Sequence, residues 1–200
     1  RLMALKFLGP QGGSVSGVIE CIEYIIDLKE RGVPICAVNA SFGGSSFSQF
    51  EKEAFESLRN AGILVAAAAG NSAQDVDSGS ASYPASYKLD NIISVAASTK
   101  GDNLAVFSNY GRLGVHLAAP GSEIFSTDID EGYRLLGGTS MAAPMVTGAA
   151  ALLYSAYYEP FDEIKERILR GVDRLETLYG RVLTNGRLNV YNALSVELKG

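Results

Sequence analysis

The chain alternates short apolar runs with longer stretches in which apolar residues recur every three or four positions. LMALKFL (residues 2–8) reads as a buried strand. VSGVIECIEYIIDLKERG (15–32) reads as an amphipathic helix, with Val18, Ile22, Ile25 and Ile26 as its inner face and Gly32 as its stop. PICAVNAS (34–41) gives a second strand and FSQFEKEAFESLRNAG (47–62) a second helix. ILVAAAA (63–69) and NIISVAAS (91–98) are strands with no polar face, the pattern of strands covered on both sides. Strand and helix alternating at this spacing predict βαβ units around a parallel sheet.

Past residue 100 the runs shorten to LGVHLAAP (113–120), EIFST and YRLLGG. Met141 to Tyr157 then make a helix that is apolar on every side, which predicts a central, buried position. Glu163 to Gly171 is a short amphipathic helix, and LTNGRLNVYNALSVEL closes the chain with a turn at Asn185-Gly186 and a last helical segment. Ser72 to Ser86 is the one long loop, of a size that in compact domains is functional or mobile. No internal repeat or linker divides the 200 residues, which suit one domain.

Composition narrows the function. A hydrophobic content of 47% with 20% charged residues is that of a globular protein. The net charge of −5, with no run of Lys or Arg, speaks against nucleic acid as a partner. The longest apolar stretches, Gly62 to Gly70 and Met141 to Tyr154, fall short of the roughly 18 residues a membrane span needs. No signal peptide is expected, because the sequence opens at once on a strand pattern. The two cysteines, Cys21 and Cys36, are expected to be reduced and buried.

Open parallel sheets bind ligands at the carboxyl ends of their strands. Three segments end there: Asn39 to Gly44, Ala68 to Asn71, and the Gly137 to Ser140 turn. Each has a plain structural reading as well. SFGG can be a flexible turn, Asn71 a turn residue after Gly70, and Ser140 the cap of its helix. Pro144 sharpens the last case. It has no amide hydrogen to give to carbonyl 140 and is tolerated only in an opening turn, so the helix should begin at or near Ser140. The hydroxyl would then lie among free backbone N–H groups at the positive end of a helix dipole. That is where acyl transfer needs help for its tetrahedral oxyanion.

GTSMAAP (138–144), AAAGN (67–71), SFGG (41–44) and SYPASY (82–87), with APG (119–121) and GRLNV (186–190), occur together and in order. In these motifs the chain resembles the subtilisin-like serine proteases from residue 1 to about residue 195. The resemblance implies an α/β three-layer sandwich with a mostly parallel sheet, here lacking its amino-terminal strands. It implies Ser140 as nucleophile, with Asn71 and the Ser140 N–H as oxyanion donors. Ser41, Phe42 and Gly43 would form an edge that pairs with substrate backbone. Ala68, Ala69 and Gly70 would wall the primary specificity pocket, with Ser82 near its floor. Small, uncharged walls suggest a large apolar or aromatic substrate side chain. The implied partner is a polypeptide substrate, and the implied location is outside the cytoplasm. No cofactor is required for the chemistry, and no metal is expected, although carbonyls near Ala85 to Tyr87 are the place for a structural calcium.

The family also needs an Asp and a His placed before the Asn and Ser in chain order. The single histidine, His116, lies downstream of Asn71 and reads as structural. The Asp and His are therefore expected from an absent amino-terminal part or from another chain, so that part or another copy of this chain is an expected partner, and these 200 residues alone are expected to be inactive. Met145 stands where many subtilisins carry a non-triad histidine and should alter packing under the site. Two alternatives remain. One is a sedolisin-type acid peptidase using Glu23 and Asp27, which have its E-x-x-x-D spacing. The other is a non-catalytic relative or binding module. A nucleotide-binding reading fails for want of a glycine-rich phosphate loop after any strand.

Overall fold

A computed structural model describes residues 1–129 and 131–198. Helix α1 (Val15–Glu30) begins at Ser14, whose Oγ accepts the Gly17 N–H at 3.1 Å. It is followed by strand β1 (Ala37–Ala40) and by helix α2 (Gln49–Asn60), which opens on Ser48 as cap. The carboxylate of Glu51, in the first turn of α2, accepts the Tyr87 hydroxyl at 2.5 Å and ties the 82–87 segment to this helix. Burial, and then that carboxylate, push the Tyr87 pKa up.

Strands β2 (Leu64–Ala68), β3 (Ile92–Ser98) and β4 (Leu117–Pro120) extend β1 into a parallel sheet. A separate antiparallel hairpin, β5 (Ile124–Thr127) and β6 (Tyr133–Leu136), leads into helix α3 (Thr139–Tyr157). Helix α4 (Phe161–Arg170), strands β7 (Asp173–Arg174) and β8 (Gly186–Arg187), and helix α5 (Val190–Ser195) complete the chain. The sheet order is β1-β2-β3-β4-β8-β7, parallel except for the last pair.

The pleat divides the core in two. Leu64, Ala66 and Ala68, with Ile93, Val95 and Ala97, pack beneath α3 and α4. Val65, Ala67 and Ile92 point the other way, onto Val18 and Ile22 of α1 and Phe55 and Leu58 of α2. Three layers result, with helices on both faces of a mostly parallel sheet. Each fully buried Leu or Ile in these layers contributes about 1.5–3 kcal/mol. Small residues let α3 sit close on the sheet. A Cβ at Gly121, just after β4, would lie 2.7 Å from Ala97 Cβ and 3.0 Å from Ala142 Cβ.

Four expectations from the sequence are corrected. Residues 2–8 form no strand: their one backbone pairing nearby is the Gly9–Gly12 bridge, and Leu2 is fully exposed. Leu5 and Phe7 lean on the α1/α2 core, yet the segment does not pair with the free edge of β1, and an apolar run without a ladder is not a strand. Helix α3 is buried on only one side. Ala142, Ala143, Val146, Ala149, Ala150 and Leu153 face the sheet, whereas Pro144, Met145, Gly148, Ala151 and Leu152 are exposed. Met145 thus lies on the open face of α3 and not under the site. The cysteines are unpaired, but each is half-buried, not buried. Among the described residues, no helix is long and apolar enough to cross a membrane.

Candidate active site

The carboxyl ends of β1 and β2 and the amino end of α3 converge on one cavity of about 300 Å³. Phe42, Gly43, Ala68, Gly70, Asn71, Ser82 and Ser140 all line it. Ser41 and Ala69 do not. Ala69 alternates with Ala68, so its side chain enters a separate cluster with Val115 and Leu178, away from the cavity. Ser41 turns its hydroxyl to the start of α3, donating to the Ser140 carbonyl at 2.6 Å.

Two loops shape the walls. Gly44 and Tyr83 exchange backbone hydrogen bonds at 3.0 and 2.8 Å, bringing the loop after β1 against the 82–87 segment. Ser82 Oγ then lies 2.9 Å from where a Cβ on Gly43 would be and 3.4 Å from one on Gly70. It spans the cavity between the two glycine backbones. Ser45, Ser72, Gln74 and Ser80 add neutral polar lining, so the pocket is uncharged but more polar than small apolar walls alone would make it.

The turn that presents Asn71 is built by Asn109, which is buried. Its Nδ2 donates to Ala69 O at 2.9 Å, and its Oδ1 accepts the Ser72 and Gln74 N–H groups at 3.0 and 3.1 Å. Gly70 bends the chain here with φ +106°, the left-handed region that favours glycine. Asn71 itself is exposed toward the cavity. Its Oδ1 accepts both the Thr139 N–H at 2.8 Å and the Thr139 hydroxyl at 3.0 Å. An amide whose oxygen is so engaged presents its NH₂ as the remaining donor. Thr139 is fully buried and also accepts the Gly70 N–H at 3.1 Å, so one side chain joins the β2 turn to the start of α3.

Helix α3 is capped at Gly138 and begins at Thr139, so Ser140 is its second residue and not its cap. Ser140 is half-buried, and its N–H lies in the first turn, where no carbonyl four residues back belongs to the helix. Its hydroxyl donates to Ser41 O at 3.2 Å. The sequence placed Asn39 and Thr139 in candidate segments, Asn39 to Gly44 and Gly137 to Ser140, but gave neither a role, and Asn109 carried no local signal.

His116 immediately precedes β4 and does not line the cavity. Its Nδ1 accepts the Ser94 N–H at 3.0 Å, and burial, then the nearby Lys165 charge, lower its pKa to about 3. It is a neutral, structural imidazole. Glu23 is exposed on α1, and Asp27 is paired with Arg31 at 2.9 Å, so the structure brings neither to the cavity. Among the described residues, no three His, Cys, Asp or Glu side chains gather as a metal site.

A family model described as the subtilase family matches residues 1–176. The chain belongs to the subtilase family. It is 32% identical over 208 aligned positions to subtilisin-like protease 2 of Plasmodium falciparum, covering 100% of this chain and 15% of that protein. It is 40% identical over 173 positions to subtilisin-like protease 4 of Arthroderma gypseum, covering 83% of this chain and 41% of that one. The subtilase chain thus spans less than half the length of these relatives. Among solved structures, the prenylagaramide maturation protease PagA is similar with a TM-score of 0.78 at 25% identity, over 92% of this chain and 67% of that chain.

Proposed function

We propose that this subtilase chain carries the acyl-accepting half of a serine endopeptidase site. Ser140 attacks the scissile carbonyl, and Asn71 Nδ2 with the Ser140 N–H receives the oxyanion. Ser41, Phe42 and Gly43 take the substrate backbone. Ala68 and Gly70, with Ala69 behind them, and Ser82 shape the pocket for the residue before the cut. The observation that carries this reading is the fixed Asn71 amide: both bonds to Thr139 go to its oxygen, which supports its nitrogen as the cavity-facing donor. In the subtilisin family the loss of such a donor costs about 2.7–4 kcal/mol of transition-state stabilisation.

A base for Ser140 is not part of this reading of the chain. The Ser140 hydroxyl rests on a carbonyl, which cannot take its proton. The free edge of β1 and the uncovered apolar face of α3 support an upstream segment or another chain as the source of the Asp and His. By family resemblance, the complete enzyme acts on polypeptides outside the cytoplasm. The test is hydrolysis of a chromogenic peptide. The purified chain should show none, and the protein extended upstream to include an Asp and a His should show activity that Ser140→Ala abolishes. Turnover by the chain alone would overturn the division of the site. An extended protein with no Ser140-dependent turnover would favour a non-catalytic relative.

A further inference from the structure

The Ser140 carbonyl lacks the regular partner of an α-helical carbonyl. Four residues on, the donor would be the N–H of residue 144, and Pro144 has none. Pro144 is the sixth residue of α3, beyond the opening turn where proline is free of consequence. The missing bond is made from another element: Ser41 Oγ donates to Ser140 O at 2.6 Å. Asn39, on the free edge of β1, orients that hydroxyl by donating to it from Nδ2 at 3.0 Å. The alternative direction, Ser41 Oγ to Asn39 Oδ1, is longer at 3.4 Å, and Asn39 Oδ1 is also met by Thr147 Oγ1 of α3 at 3.4 Å. The Ser41 hydrogen therefore points at Ser140 O.

We infer that the Ser41 side chain, set by Asn39, is a positioning residue for the nucleophile, replacing the hydrogen bond that Pro144 cannot give. By holding the carbonyl of Ser140 it fixes that residue's ψ, and with it the direction in which Cα–Cβ carries the hydroxyl. This role is separate from the part Ser41 backbone takes in binding substrate. It rests on Ser140 being the nucleophile, as proposed above.

The decisive experiment uses the two ways of satisfying one carbonyl. In the active, upstream-extended enzyme, Ser41→Ala should lower kcat about ten- to hundredfold, with KM changing less than about threefold. Ser41→Thr, which keeps the hydroxyl, should retain most of kcat. Pro144→Ala restores an N–H to the helix, so in that background Ser41→Ala should cost less than about threefold. Equal losses in both backgrounds, or a loss confined to KM, would overturn the inference. Absence of any Ser140-dependent hydrolysis in the wild type would defeat the functional reading instead. The positional claim is then read on this chain by NMR. The Ser140 carbonyl ¹³C resonance should shift on Ser41→Ala and return on adding Pro144→Ala, and an unmoved resonance would refute it.

Discussion

Replacing Gly70 by Ala puts a methyl group at the narrowest point of the site's framework. At φ +106° an L-residue is strained, which costs about 1–3 kcal/mol. The added Cβ would also fall 2.3 Å from Asn109 Nδ2, which no real contact permits. Asn109 must move, and it is buried with three hydrogen bonds, to Ala69 O and from the Ser72 and Gln74 N–H groups. Losing two of them adds about 2 kcal/mol, for a total destabilisation of about 3–5 kcal/mol. For about 200 residues this corresponds to a fall in Tm of roughly 6–20 °C. Urea unfolding of wild type and variant, followed by far-UV circular dichroism, measures it. Gly148→Ala is the counterpart: nothing lies within 4 Å of its added Cβ, it sits mid-helix on the exposed face of α3, and it should stabilise by about 0.5–1 kcal/mol. A Gly70→Ala loss below about 1 kcal/mol, in a protein whose fold is unchanged, would refute the account of the Asn109 turn.

Other expectations follow from the same contacts. The folded-state pKa of His116, lowered to about 3 against 6.5 unfolded, means the unfolded chain binds the extra proton first. Its contribution to stability is complete above pH 6.5 and is lost as pH falls toward 3, by up to about 1.4 kcal/mol per pH unit; urea midpoints flat across that window would contradict it. Arg167 is buried, donates to both Glu159 oxygens at 2.5 Å and stacks on Tyr157 at 4.0 Å. Arg167→Leu should cost about 2–4 kcal/mol in urea unfolding, and the double change with Glu159→Leu distinctly less than the sum of the two singles. On the functional reading, Thr139→Val should lower kcat about tenfold by loosening the Asn71 amide, and Thr139→Ser should restore it; a change in KM alone would assign Thr139 a structural role.

The parallel core was legible because its strands are covered on both faces and so carry no polar position. Leu64–Ala68 and Ile92–Ser98 are buried at every residue. The helices were legible through caps and stops such as Ser14, Ser48 and Gly32. Residues 2–8 were misread because apolar content signals a strand's burial but not its partner, and the ladder is a property of two segments. The apolar face of α3 misled in the same way: a sequence apolar all round states what a helix can bury, and the neighbours decide what it does bury. At the site, GTS and AAAGN marked Ser140 and Asn71, but which atom of Asn71 faces the cavity depends on Thr139, 68 residues away. Asn109 and Ser41 act through such distant bonds, and a side chain's long-range partner leaves no trace in local pattern.

The arrangement of those bonds bears on how a complete enzyme would assemble. On the proposed reading, everything that receives negative charge is held from within this chain: Asn71 by Thr139, the turn around it by Asn109, and the Ser140 carbonyl by Ser41. The free edge of β1, carrying Asn39, and the exposed face of α3 are both open to an incoming segment. On that reading, a segment bringing an Asp and a His would meet donors that already point at the reacting centre. The ordering entropy of assembly falls on the incoming segment, and the electrostatic part of the site needs little reorganisation when it arrives. Ser140 must then give up only one contact, its 3.2 Å bond to Ser41 O, before its hydroxyl can turn to the base.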